Sequence, residues 1–128
     1  MNELIKNIEN NITPENKFLV DYLINTIEKN SLNTIEELIN LENSYFTIEG
    51  NILSKEEKIK YCYDTIINSF YDADALEFDK SLNYYKYYDF LKLSKTIEDK
   101  IKYIILLNDI TGREQLLIYE LYKYITNK

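Results

Sequence analysis

Apolar residues recur three and four positions apart along most of the chain, which is the spacing of one face of an α-helix. The longest such stripe follows Ser54 and consists of Ile59, Cys62, Tyr63, Ile66, Ile67 and Phe70. Three further stripes are Phe18, Leu19, Tyr22, Leu23 and Ile27; then Ile97, Ile101, Ile104 and Ile105; and finally Leu117, Ile118, Leu121, Tyr122 and Ile125. Each stripe predicts a helix with one buried face, and Ile66 and Ile104 are expected in the core.

Five sequence signatures mark where these helices begin. Ser, Thr or Asn followed three residues later by Glu or Asp can form a capping box, in which the two side chains bind backbone N–H groups left open at a helix start. The candidate boxes are Asn33 with Glu36, Ser54 with Glu57, Thr96 with Asp99, and Thr111 with Glu114. Thr13 precedes Pro14, and proline suits the first position of a helix. We therefore predict helices at 14–29, 34–43 and 112–126, after Ser54 and Thr96, and within the first ten residues.

Two segments fit more than one secondary structure. The sequence YFTIEGNIL at 45–53 fits a small hairpin or a loop, and its aromatic and β-branched residues around Gly50 favour the hairpin. The segment 83–93 fits a strand by its aromatic content and a helix by its spacing, with the helix favoured. The predicted fold is mainly all-α, a compact bundle of about six or seven short helices in a single domain over 1–128, with one small β-hairpin near 45–53.

The amino-acid composition indicates the kind of cell and compartment in which the protein is expected. A chain of 128 residues is long enough to bury a core without staples, and its single cysteine, Cys62, lies in an apolar stripe where a buried thiol is expected. The sequence has no apolar run near the length of a membrane span and no apolar leader, so a cytoplasmic protein is expected. Abundant Ile, Asn, Lys and Tyr, whose codons are rich in A and T, indicate a low-GC genome.

The residue types argue against catalysis and metal binding. The chain contains no histidine, the usual general base at neutral pH and a common zinc ligand. The acidic run DADALEFD fails the calcium-loop pattern, because Glu77 replaces the glycine of position six and Asn83 the glutamate of position twelve when Asp72 is position one. We expect no enzyme activity, no metal and no cofactor.

Charge is distributed unevenly along the chain. The net charge is −7, but residues 1–79 hold sixteen acids and six bases whereas residues 80–128 hold six acids and nine bases. No lysine or arginine occurs in 30–54 or in 61–79. This pattern disfavours direct binding to nucleic acid or membrane and suits a partner protein with a basic surface.

The thirteen tyrosines suggest where such a partner binds. Tyr22, Tyr63 and Tyr122 lie on apolar faces and are expected to be buried with the hydroxyl reaching the surface. The four tyrosines in NYYKYY cannot all point inward from one helix, and exposed tyrosine beside acids is typical of protein interfaces. The predicted partner-binding residues are Asp72, Asp74, Glu77, Asp79, Tyr84, Tyr85, Tyr87 and Tyr88. The alternatives are ordinary packing with a solvated loop, or stacking of single-stranded bases, which the acids disfavour.

These features predict a small acidic, non-catalytic binding protein. In its sharpest form it is an inhibitor from a phage or mobile element that imitates phosphate charge and blocks the nucleic-acid-binding surface of a host defence nuclease or a similar protein complex. The alternatives are an immunity protein or antitoxin that caps a toxin, and a self-associating helical module with a structural or regulatory role. An enzyme that uses carboxylates is a third class, which the residue types disfavour. No motif identifies a family, and the sequence leaves the partner and the oligomeric state open.

Overall fold

The computed structural model of the protein describes residues 2–70, 82–111 and 117–126. These residues form seven helices and one two-stranded antiparallel sheet, which confirms the predicted helical fold with a small hairpin. The elements are α1 Glu3–Glu9, α2 Lys17–Lys29, α3 Ile35–Tyr45, β1 Thr47–Ile48, β2 Asn51–Ile52, α4 Lys55–Phe70, α5 Leu82–Leu93, α6 Ile97–Thr111 and α7 Ile118–Thr126. Within this described part, no helix is both long and apolar enough to cross a membrane.

Two of the predicted helix starts are confirmed by their hydrogen bonds. At the start of α4, the Glu57 carboxylate accepts from the Ser54 backbone N–H at 2.8 Å, and the Ser54 hydroxyl accepts from the Glu57 N–H at 3.2 Å. At the start of α6, the Thr96 hydroxyl accepts from the Asp99 N–H at 3.1 Å. Both helices therefore begin where a side chain satisfies an otherwise open backbone donor.

The start of α3 lies one residue later than predicted. Thr34, not Asn33, is the N-cap, and its hydroxyl accepts from the Glu37 N–H at 3.1 Å. Both pairs have the spacing of a capping box, but with Thr34 as cap the Glu37 carboxylate also accepts from two consecutive amides, those of Asn33 and Thr34, each at 3.1 Å. The additional hydrogen bond favours the observed register.

The starts predicted at Thr13 and Thr111 are wrong. The Thr13 N–H donates to the Asn16 side chain at 2.7 Å, and the Asn16 N–H donates to the Thr13 hydroxyl at 3.2 Å. This reciprocal pair closes a turn over residues 14–16, so α2 begins only at Lys17. Thr111 is the last residue of α6, which runs on for 15 residues, and α7 begins at Ile118.

The chain forms two compact units. The terminal unit comprises Met1–Ile52 with Leu116–Lys128, and the central unit comprises Leu53–Gln115. In the terminal unit α7 packs against α1, α2 and α3, so the last helix lies at the centre of the packing. The buried apolar side chains of the terminal unit include Leu4, Ile8, Leu19, Val20, Leu23, Ile27, Leu38, Phe46, Leu117, Ile118, Leu121 and Ile125.

Phe18 is a correction to the predicted core. Its side chain is 50% exposed, although it has helical spacing from Tyr22. The buried face of α2 is centred near Leu23, and Phe18 lies five residues away, about 140° around the helix. The neighbouring Leu19 occupies the buried face instead.

In the central unit, α6 packs against both α4 and α5. The predicted stripes supply its core, since Cys62, Ile66 and Ile104 are all buried. The segment 83–93, which fitted either a strand or a helix, lies within α5.

Removing a buried branched side chain from this core should lower stability. Ile104 is fully buried and Ile66 is 4% exposed, so alanine at either position is expected to reduce the free energy of unfolding by about 2–5 kcal/mol, measured by urea denaturation. Leu93→Ala is the matched control, because Leu93 is 75% exposed and its loss should change stability by less than about 0.5 kcal/mol. Equal effects at the buried and exposed positions would contradict this packing.

The cap of α4 should be visible in the titration of Glu57. The hydrogen bonds from the Ser54 backbone and hydroxyl hold the pKa of Glu57 below its ordinary value. A carboxyl with a lower pKa in the folded state stabilises the fold above its unfolded pKa, and that contribution is lost as the pH falls through the folded pKa. In a carbon-13 NMR titration Ser54→Ala should therefore raise the pKa of Glu57, whereas Ser54→Thr, which keeps the hydroxyl, should not. Because Ser54→Ala keeps the backbone hydrogen bond, an unchanged pKa in this variant would contradict the contribution of the Ser54 hydroxyl.

Candidate functional site

The predicted partner-binding residues lie in different parts of the chain, and their binding role stays a prediction. The four acids Asp72, Asp74, Glu77 and Asp79 lie outside the described residues, so their role stays a prediction. Tyr84 and Tyr85 lie in α5. Tyr87 is half-buried, and Tyr88 is only 4% exposed, so Tyr88 packs inside the central unit and leaves little of its ring for a partner.

Among the α5 side chains that the structure describes, the exposed aromatic residue is Phe90. Tyr103 of α6 contacts two rings of α5, with centroid distances of 6.1 Å to Tyr87 and 5.3 Å to Phe90. Phe90 is 39% exposed, and the Lys86 ammonium lies 5.8 Å from its centroid. Among the described side chains of α5, Tyr88 and Leu91 are buried, whereas Phe90 and Leu93 are exposed.

A larger set of exposed apolar side chains lies on α3 and the hairpin, in the terminal unit. Tyr45, Ile48 and Ile52 are 45%, 50% and 58% exposed. We call the exposed apolar and acidic side chains of this segment the α3–hairpin surface: Ile35, Glu36, Glu37, Tyr45, Ile48, Glu49 and Ile52.

The hairpin owes its shape to two residues with positive φ. Glu49 has φ 52° and Gly50 has φ 82°, which is the pattern of a type I′ turn. Thr47 pairs with Ile52 and Ile48 pairs with Asn51. Because directly paired residues share a face, Ile48 and Ile52 lie on opposite faces, and each is at least half exposed.

Hydrogen bonds to the Asn43 carbonyl connect the start of the hairpin to the end of α3. The Thr47 hydroxyl donates to the Asn43 carbonyl at 2.7 Å, and the Phe46 N–H donates to the same carbonyl at 3.0 Å. Phe46 itself is 2% exposed. The hairpin therefore extends from a buried anchor.

The charged residues in the segment 30–54, which carries this surface, are all acidic. No lysine or arginine occurs between residues 30 and 54, and Glu36, Glu37 and Glu49 are exposed. Glu37 also accepts the helix-start hydrogen bonds of α3, so Glu36 and Glu49 are the carboxylates that can change without loss of the cap. Exposed apolar side chains in a segment whose charged residues are all acidic form the candidate interaction surface.

The other acid of this segment, Glu42, has a structural role. It is completely buried, and its Oε1 accepts from the Tyr119 N–H at 3.0 Å and the Glu120 N–H at 3.2 Å. These amides belong to the first turn of α7, where the helix dipole favours a negative charge. Glu120, also buried, pairs with Lys123 at 3.2 Å.

The geometry offers no metal centre in the described ranges. Among residues 2–70, 82–111 and 117–126, no group of three or more His, Cys, Asp and Glu side chains could hold a metal ion. The single cysteine, Cys62, is buried.

No protein-family model, curated protein or solved structure matches this chain. A proposal for its function therefore rests on the geometry and charge of its own residues.

The hairpin that carries Ile48 and Ile52 should be sensitive to the residue at position 50. A Cβ at Gly50 would meet no atom within 4 Å, so the cost of Gly50→Ala is purely conformational, about 1–2 kcal/mol for a left-handed residue. An isolated two-stranded ribbon is only marginally stable, so this cost should depopulate the hairpin. We expect the cross-strand NOEs between Thr47 and Ile52 to weaken.

The matched control is Glu49→Gly, since glycine tolerates the positive φ and should retain these NOEs. Full-strength NOEs in Gly50→Ala would contradict the turn geometry.

Proposed function

We propose that this chain is a small acidic, non-catalytic binding protein that covers a basic, nucleic-acid-binding surface of another protein. The observation that carries the proposal is the α3–hairpin surface, where Tyr45, Ile48 and Ile52 are exposed beside carboxylates in a segment without a base. Single exposed apolar residues are ordinary on protein surfaces, but several within one short segment suit an interface.

The two kinds of side chain in this surface have different tasks. The apolar side chains supply area that is removed from water on binding, with tyrosine as a typical interface residue. The carboxylates attract a cationic partner over a distance and repel surfaces of the same sign, which raises the association rate and gives specificity. A groove that accepts phosphates presents lysine and arginine, and carboxylates can occupy the same positions.

The negative charge of the α3–hairpin surface disfavours a second copy of the same surface as the partner. Two α3–hairpin surfaces brought face to face would place Glu36 and Glu49 of one copy near the same carboxylates of the other. Like charges at an interface cost affinity. A partner of opposite charge is therefore favoured.

The acids Asp72, Asp74, Glu77 and Asp79 are part of the proposal as a second acidic contact. They fall in 61–79, the other segment without a base. In this proposal their charge attracts a cationic partner independently of the α3–hairpin surface.

The biological setting proposed is a phage or mobile element, with a host defence nuclease or a similar protein as the target. Small size, acidity and a low-GC composition support this setting. An immunity protein or antitoxin that caps a toxin would use the same surface and is an alternative of the same class.

A self-associating helical module is the second candidate. It is favoured by Leu93, which is 75% exposed, and by Phe90, which is 39% exposed, on the same helix. Light scattering separates the two candidates, since the binding protein does not require self-association and the module does.

The experiment that tests the proposal has two stages. First, the tagged protein is used to capture its partner from a bacterial lysate, and the partner is identified by mass spectrometry. Second, the purified partner is bound to a short nucleic acid, and the chain is added as competitor. The proposal predicts that the nucleic acid is displaced, and a partner that binds the chain and nucleic acid simultaneously with unchanged affinities would contradict it.

Removal of charge from the α3–hairpin surface should weaken binding to that partner. We expect the double variant Glu36→Gln, Glu49→Gln to raise Kd about tenfold at 0.1 M salt, where the Debye length is about 10 Å, and much less at 1 M, where it is about 3 Å. The matched control is Glu9→Gln, Glu28→Gln, which removes two exposed charges from the same unit outside this surface.

Equal affinities of the two double variants at both salt concentrations would contradict the role of this surface. A third variant, in which Asp72, Asp74, Glu77 and Asp79 become Asn or Gln, tests the second acidic contact in the same assay. Unchanged binding of that variant at low and high salt would remove these four residues from the proposal.

A further inference from the structure

The central unit contains a cavity, about half open to solvent, that the proposed function does not use. Its volume is about 200 Å³, and it lies between the first turns of α4 and the first turn of α6. It is lined by Glu56, Ile59, Lys60, Tyr63, Ile97 and Lys100.

The wall of this cavity is largely apolar. Ile59 is 5% exposed, and Tyr63 and Ile97 are half-buried. Two isoleucines and a tyrosine side chain form a surface on which a flat apolar group can pack. The wall therefore favours a ligand with an aromatic or similarly flat body.

The charges around the cavity differ in how strongly they can act on a ligand. The Lys60 ammonium is already bound to the Asp64 carboxylate at 2.6 Å. Glu56 is exposed, so its charge is screened by water. Lys100 is half-buried, and its ammonium lies 5.8 Å from the centroid of the Tyr63 ring.

A group that packs on Tyr63 therefore has the Lys100 ammonium beside it. Of the two lysines in the wall, Lys60 is exposed and paired with Asp64, whereas Lys100 is half-buried and less screened by water. The matching feature of a ligand is one negative charge next to its apolar body.

The volume limits the size of that ligand. An apolar cavity of roughly 150 Å³ can hold benzene, whereas pockets for drug-sized ligands measure roughly 300–1,000 Å³. A cavity of about 200 Å³ thus suits one ring with a short polar substituent.

We propose that this cavity binds small aromatic carboxylates. The ring packs against Ile59, Ile97 and Tyr63, and the carboxylate pairs with the Lys100 ammonium. The site places a half-buried cation beside apolar side chains in a protein whose net charge is −7, so it selects a ligand of a chemistry different from the partner of the α3–hairpin surface.

The probe is phenylacetate, compared with its neutral isostere phenylacetamide and with the cation phenethylamine. Each is titrated into the nitrogen-15-labelled full chain, and amide shifts are followed by NMR. We expect saturable shifts around the cavity, with phenylacetate binding about fivefold more tightly than phenylacetamide. Shifts that do not saturate, equal affinities for acid and amide, or tighter binding of phenethylamine would each overturn the proposal.

The variants Lys100→Gln and Lys102→Gln assign the charge preference to one side chain. Lys102 lies on the same helix with its ammonium 5.4 Å from the Tyr103 centroid, so it has a similar cation–ring contact but does not line the cavity. Lys100→Gln should bring the affinities for acid and amide to within twofold of each other, while Lys102→Gln keeps the preference. A preference that survives Lys100→Gln, or is lost equally in Lys102→Gln, would overturn the assignment. The amide spectrum of each variant checks that the fold is intact.

Discussion

The terminal unit depends on one buried carboxylate that joins distant parts of the chain. Glu42 of α3 accepts the backbone N–H groups of Tyr119 and Glu120, which are 77 and 78 residues away in the sequence. Taking a carboxylate out of water costs several kcal/mol unless donors replace the lost hydration. Two amides at the positive end of α7 provide that replacement, and α7 in turn packs against α1, α2 and α3.

The candidate interaction surface follows from this arrangement. Leu38, Glu42 and Phe46 recur at intervals of four residues and are all buried, so they fix the inward side at α3 and its C-cap. The other side of α3 and the hairpin therefore face solvent, and the buried residues keep α3 in a fixed orientation. A surface that is ordered before binding loses less conformational entropy when a partner docks.

Local chemistry accounts for most of the fold that the sequence could predict, and long-range contacts for most of what it could not. Apolar spacing and the caps at Ser54 and Thr96 predict α4 and α6 because both signals act within a few residues. The same reasoning is wrong for Phe18. Phe18 and Tyr22 have the same four-residue spacing as Leu19 and Leu23, but Leu19 and Leu23 occupy the buried face. The burial of Glu42 could not be predicted, since the amides that satisfy its charge are far away in the sequence. For the candidate site, charge density points to the segments without a base, but the exposure of Ile48 and Ile52 depends on what the rest of the fold leaves uncovered.

The role of Glu42 is tested most directly by amide hydrogen exchange at Tyr119 and Glu120. Amides in the first turn of a helix have no acceptor within that helix and normally exchange quickly. We predict that these two amides are strongly protected in the native protein, and that Glu42→Ala accelerates their exchange at least about tenfold relative to the central amides of α4. Fast exchange of both amides in the native protein, or protection unchanged by Glu42→Ala, would contradict the anchoring of α7 by this carboxylate.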